Sequence, residues 1–162
     1  MKNLLTTPLV LLALLAPLNA GADFNKGFAA REAFEAFDDA AIEITKDLAA
    51  EGEEYSQYLL GEQYYFGGGV LQDYKEAAKW LTLSAEQGNV FAHYLLGIMY
   101  ENGEGVIQDY VYAHMWWNIA ASNGSEDAQT NRDIIAKQMT QAQIAEAQKL
   151  ARECVAKDYK GC

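Results

Sequence analysis

The chain has 162 residues, 51% of them hydrophobic and 22% charged, which suits one domain with a sizeable core and not two. Acidic residues outnumber basic ones 23 to 12, a formal charge of -11, which argues against nucleic acid and anionic membrane surfaces as partners. Ten Tyr and three Trp argue against disorder, and two Cys are too few for a disulfide-built mini-protein or an all-thiolate zinc site.

Residues 1–22 read as an export signal. Lys2 gives a positive start, an apolar run extends from Leu4 to Leu15, and Pro17 ends any helix. Ala20-Gly21-Ala22 then supplies the small-x-small pattern that signal peptidases accept. The run is shorter than the roughly 20 apolar residues that span a bilayer, so no stable membrane anchor is expected. Cleavage is expected after Ala22, or alternatively after Ala20, leaving a periplasmic or secreted protein. Loss of Lys2, the only charge in the segment, takes the net charge from -11 to -12.

An internal repeat organises the rest. Residues 53–88 align without a gap on residues 89–124, with fifteen of thirty-six positions identical. Tyr58-Leu59-Leu60-Gly61 meets Tyr94-Leu95-Leu96-Gly97, and Tyr64 meets Tyr100. Gly67, Gly69, Val70 and Gln72-Asp73-Tyr74 meet Gly103, Gly105, Val106 and Gln108-Asp109-Tyr110. Ala77, Trp80, Ala85 and Gly88 meet Ala113, Trp116, Ala121 and Gly124.

Each unit reads as two helices. The first spans about Glu54 to Phe66 and puts Leu60, Gly61 and Tyr64 on one face. A mid-helix glycine costs about 1 kcal/mol against Ala, so its recurrence as Gly97 implies a neighbouring helix packed too close for a side chain. Gly67-Gly68-Gly69 ends the helix through a left-handed cap; it lacks the Lys and Ser/Thr of a phosphate cradle. The second helix opens at Asp73, where Asp73-x-x-Glu76 predicts a capping box, and Ala77, Trp80, Leu81 and Ser84 share its buried stripe. Gly88 stops it, and Asn89 and Ser125 follow as N-caps. No such pair buries its apolar face alone, so the units must stack.

Residues 23–52 read as a degenerate helix pair, about Lys26–Phe37 and Asp39–Ala50, because Ala41, Ile44, Ala49 and Gly52 fall at the places of Ala77, Trp80, Ala85 and Gly88. Residues 125–162 read as capping helices, with Thr140-x-x-Gln143 opening a last helix to about Ala156. Cys154 and Cys162 lie too far apart along a straight helix for a disulfide. They pair only if the chain folds back, for which Lys160-Gly161 offers a bend. A structural staple is favoured over a redox pair, since no Cys-x-x-Cys spacing is present.

The motif Tyr94-Leu95-Leu96-Gly97-x-x-Tyr100-x-x-Gly103-x-Gly105-Val106-x-x-Asp109-Tyr110-x-x-Ala113-x-x-Trp116, closed by Ala121-x-x-Gly124, resembles the Sel1-like repeat family, relatives of the tetratricopeptide repeats. The Tyr58–Gly88 copy matches nearly as well, and the tail looks like that of short exported bacterial members. The resemblance implies an all-α, right-handed helix-turn-helix solenoid whose concave face binds protein partners in signalling, secretion or envelope assembly. Gly61, Tyr64, Gly67, Gly69, Trp80, Gly97, Tyr100, Gly103, Gly105 and Trp116 are then its structural positions. A cysteine-rich branch is associated with penicillin binding and β-lactamase activity. This chain has no Cys in either clear repeat, which argues against that activity.

No catalytic set stands out. His93 and His114 lack the further ligands a metal site needs and read as packing or surface residues, and Ser84 and Ser122 have no His at a suggestive offset. No cofactor, metal or catalytic residue is expected. The helix face turned away from Leu60, Gly61 and Tyr64 carries Tyr55, Tyr58, Glu62, Tyr65 and Phe66, and next door Phe91, Tyr94, Ile98, Glu101 and Asn102. By the resemblance this is the concave groove, an aromatic strip edged by acids. Tyr58/Tyr94 and Tyr55/Phe91 recur and serve stacking equally well. Glu62/Ile98, Tyr65/Glu101 and Phe66/Asn102 differ and suit specificity. Trp116 reads as core, while Trp117, which replaces Leu81, fits either packing against the last unit or partial exposure. The leading expectation is a non-catalytic exported adaptor for a basic or polar-apolar protein segment. The alternative is a cell-wall-related small-molecule binder or hydrolase.

Overall fold

The computed structural model describes residues 40–162, of which Ile44–Cys162 form one compact unit; the export signal and the helix expected at Lys26–Phe37 lie outside the described residues. All regular structure among the described residues is helical. A helix over 40–50 (α1) precedes α2 (Glu54–Phe66), α3 (Tyr74–Ala85), α4 (Val90–Asn102), α5 (Tyr110–Ser122) and α6 (Glu126–Ile135). A 3-10 turn over Ala136–Gln138 then leads to α7 (Gln141–Ala156).

Local chemistry sets these bounds. Asp73 and Asp109 each accept the backbone N–H groups of the second and third residues of their helices, and Asn89 and Ser125 each accept one. Thr140 and Gln143 form the expected capping box. The box expected at Asp73-x-x-Glu76 is half made. Asp73 accepts from Lys75 and Glu76, but the Glu76 carboxylate pairs with Lys79 at 3.1 Å, a charged partner one turn on. Gly67 and Gly103 close α2 and α4 with φ of 75° and 74°, the left-handed cap. Gly52, Gly88 and Gly124 share φ near 95° at the same point of successive turns.

Within each unit the two helices meet at the predicted glycine. A Cβ on Gly61 would lie 2.7 Å from Leu81 Cγ and 3.1 Å from the Leu81 backbone nitrogen. A Cβ on Gly97 would fall inside the Trp117 indole. Trp117 is wholly buried, its Nε1 donating to the Tyr94 carbonyl at 3.1 Å. It packs with Ala128, Ile135, Met139 and Ala147, so it seals the second repeat to the capping helices. The units join through a second core of Leu81, Leu96, Met99, Met115, Trp116 and Ile119. Trp80, at the place of Trp116, is only half-buried and carries Lys79 over its ring at 5.1 Å. Trp116 is covered because Ala151 and Cys154 of α7 join its core.

Cys154 and Cys162 are joined in a disulfide. The chain reverses before Gly161, at Asp158 (φ 50°) and Tyr159 (φ 65°), with the Cys154 carbonyl accepting from the N–H groups of Lys157 and Tyr159. The left-handed backbone at Tyr159 is offset by what its ring gains: it lies 5.0 Å from the His93 ring and against Gly88. Gly161 N–H donates to Glu86 at 3.0 Å. The tail thus straps the turn between α3 and α4, a contact between residues too far apart in sequence to predict.

Gly97→Ala should destabilise more than Gly61→Ala in urea unfolding, because a buried indole cannot give way as a leucine does. Overpacking costs of about 1–3 kcal/mol set the scale. Equal costs would contradict the packing described. Cys154→Ser with Cys162→Ser should lower unfolding free energy by about 2–3 kcal/mol, the loop-closure scale for so short a loop.

Candidate functional site

The ten expected groove residues all lie on α2 and α4, and the structure divides them into two groups. At the starts of the helices the Tyr55 and Tyr58 rings lie 5.7 Å apart, and Tyr58 lies 5.6 Å from Phe91, a strip that crosses from one repeat to the next. Tyr55 and Phe91 are 52% and 61% exposed, too open to be core. Tyr58 donates its hydroxyl to Glu62 at 2.6 Å; burial, then that carboxylate, push its pKa up and keep it a neutral donor.

At the helix ends Tyr65 meets Phe66 edge-on at 4.8 Å and Tyr74 at 5.4 Å. Its hydroxyl donates to Glu104 at 2.7 Å, across to the next repeat, and Asn102 donates to the same oxygen at 3.2 Å. Burial foremost, with Glu104 second, raises the Tyr65 pKa. Glu101 has no side-chain partner among the described residues, and burial alone raises its pKa. Glu104 was not singled out by the sequence, because it replaces a loop glycine, Gly68, and has no helical phase to place it.

Four of the ten also pack against the cores, Tyr58 and Tyr65 against one and Tyr94 and Ile98 against both. Tyr94 receives a hydrogen bond from Asn131 of α6 at 3.4 Å. Of the three differing pairs, Phe66/Asn102 are exposed in both repeats, while Tyr65/Glu101 and Glu62/Ile98 are partly buried in both.

Both histidines are buried and belong to packing. His93 donates from Nε2 to the Ala85 carbonyl at 3.0 Å and stacks on Trp116 at 5.5 Å. Burial lowers its pKa from 6.5 to about 4. His114 is lowered too, by burial first and then by Arg132. Among the described residues no group of three or more His, Cys, Asp or Glu could hold a metal ion, and no helix is long and apolar enough to cross a membrane. Ser84 spends its hydroxyl on the Glu54 carbonyl at 2.9 Å, and Ser122 on the Asn118 carbonyl at 2.8 Å. A crevice of about 260 Å³ between α5 and α7 is lined by Asn118, Ile119, Ser122, Ala151, Arg152 and Val155, with no acid–base pair in it.

Residues 54–89 and 90–125 each match the family described as Sel1 repeat. A protective antigen present in uropathogenic Escherichia coli strains, which displays an SLR fold, superposes with a TM-score of 0.70 at 27% identity, covering 93% of this chain and 37% of that one. A Sel1 repeat protein from Oxalobacter formigenes gives 0.56 at 37% identity, covering 57% of this chain and 27% of that one. The chain therefore spans well under half the length of either neighbour. No match was found among curated proteins.

The depressed histidines give stability a pH dependence with a definite sign. An unfolded imidazole takes a proton below about pH 6.5, whereas folded His93 resists one until about pH 4. Its contribution is whole above about pH 6.5 and falls away as pH drops toward 4. Urea unfolding across that window should show decreasing stability, and His93→Gln should be less stable at pH 7 but flatter with pH. An unchanged slope in the variant would remove His93 as the source.

Proposed function

We propose that this chain, which belongs to the Sel1 repeat family, is a non-catalytic exported scaffold that holds a protein segment against the outward face of α2 and α4. The observation that carries this is the Tyr55–Tyr58–Phe91 strip, which leaves large aromatic surface open and continuous across two repeats. Exposed rings on a rigid helical frame offer contact area at little entropic cost, since α2 and α4 are already fixed by the glycine contacts beneath them.

Export is supported by the signal-like residues 1–22 and by the Cys154–Cys162 disulfide, which suits an oxidising compartment. The acidic excess favours a partner segment with basic or polar-apolar character, and such an association weakens as salt rises. A non-catalytic role is supported by the two candidate serines, whose hydroxyls are bound to backbone carbonyls.

A photo-crosslinking residue at Phe91 should capture a partner in the native envelope, while one at Leu83 on α3 should not. Tyr55→Ala with Phe91→Ala should cut recovery at least about tenfold, the scale of losing aromatic anchors. Equal recovery from the double variant, or equal capture from Leu83, would sink the assignment of this face.

A further inference from the structure

The loops that join the helices of each repeat carry a feature outside that face. Leu71 is 91% exposed and Ile107 88%, and they are equivalent positions of the two repeats. The loops are copies of one shape. Gly67 and Gly103 share φ 75°/74° and ψ 31°/32°, and Asp73 and Asp109 share extended backbone near φ -150°. Gln72 and Gln108 each tie the loop back by donating to the carbonyls of Tyr65 and Glu101, at 2.8 Å and 2.7 Å. The second loop also rests on the start of α3, just past the first loop, since a Cβ on Gly105 would collide with the Tyr74 carbonyl. Leu71 and Ile107 are thus held rigidly in one row along the edge of the stack, and Phe66, 65% exposed, ends α2 beside the first loop.

Aliphatic side chains this open are costly to hydrate, and two held in register form a contact surface. The charge beside them has one sign. Asp73 and Asp109 neutralise the starts of α3 and α5, but nothing neutralises the ends of α2 and α4, which have no basic residue in the last turn. Glu101 and Glu104 instead add negative charge where the helix dipole is already negative. No ion pair reaches either carboxylate among the described residues, and the Glu101 carboxylate accepts no hydrogen bond. Lys75 stands in the first turn of α3.

We propose that this loop edge docks a cationic amphipathic polypeptide segment. Its aliphatic side chains cross Leu71 and Ile107, and a Lys or Arg is held by Glu101 and Glu104 beside the Phe66 and Tyr65 rings. The ring faces add cation–π attraction to the charge pairing. The edge borrows Phe66, Tyr65 and Glu101 from the face proposed above, but it stands on Leu71 and Ile107, which that face does not contain. Either surface can therefore fail alone.

The test uses the purified protein with an amphipathic Lys/Leu peptide and its Glu/Leu counterpart, followed by calorimetry and by amide shifts in NMR. The expected result is binding of the Lys/Leu peptide alone, weakening with salt, with shifts concentrated at 66–74 and 101–109. Leu71→Ser with Ile107→Ser, both surface changes, should weaken it at least tenfold. Glu101→Gln with Glu104→Gln, which keeps an acceptor for Tyr65, should do the same, and Tyr55→Ala with Phe91→Ala should leave the shifts at 66–74 and 101–109 in place. Equal binding of the Glu/Leu peptide, no binding, or loss only in the Tyr55/Phe91 variant would overturn the proposal. So would self-association in sedimentation that Leu71→Ser and Ile107→Ser abolish, or binding to phosphatidylcholine vesicles through the same residues, since the occupant would then be a second copy or a lipid surface.

Discussion

The contact on which the structure depends is the approach of the two helices of each repeat at a position with no side chain. At Gly61 the neighbouring helix comes so near that even the Leu81 backbone nitrogen would stand 3.1 Å from a Cβ, and at Gly97 the Trp117 indole fills the space outright. Such proximity lets Leu60, Leu81, Leu96 and Trp117 reach full burial in a layer only two helices thick. It also fixes which side of α2 and α4 is spent. The aromatic residues on the other side are left over, so the strip from Tyr55 to Phe91 follows from the packing beneath it.

Repetition of sequence did not bring repetition of environment. Leu81 and Trp117 close on equivalent glycines, yet the first lies inside the repeat array and the second reaches into the capping core of Ile135, Met139 and Ala147. Trp80 and Trp116 differ in burial because α7 covers only the second. A helix laid over α5, with a disulfide-closed tail, covers the second repeat as nothing among the described residues covers the first. The tail reaches back so far that Tyr159 seals His93 at the junction of the two repeats.

Helix limits were legible because their causes are local. A glycine with positive φ, or a side chain that accepts a free N–H three residues on, acts within a few residues, so α2, α4 and α7 fall where caps predict. The half-made box at Asp73 shows the limit of such signals, since Lys79 competes for Glu76. Burial of Trp117, the absorption of Ile98 into packing and the His93–Tyr159 contact were not legible. Each is decided by a segment distant in the chain, which no period of 3.6 residues reports. The reversal at Asp158 and Tyr159 escaped notice for a related reason. Left-handed backbone is rare at a bulky residue such as Tyr159, and what holds it there is a ring contact with His93 far back in the chain.

The acidic excess that opens the sequence also reads differently once its members are placed. Glu53, Asp73 and Asp109 serve as helix caps, Glu62 and Glu104 receive tyrosine hydroxyls, and Glu76, Glu146 and Glu153 meet lysines. A carboxylate already holding backbone N–H groups has little left to offer a partner, whereas one without a hydrogen bond can gain from a cation without first giving one up. Their charges remain, but the carboxylates free to make new directional contacts are fewer than the net charge suggests. What an approaching segment meets is set by the unspent groups, and on the loop edge those are Glu101, the free oxygen of Glu104 and two leucine-sized side chains held out in water.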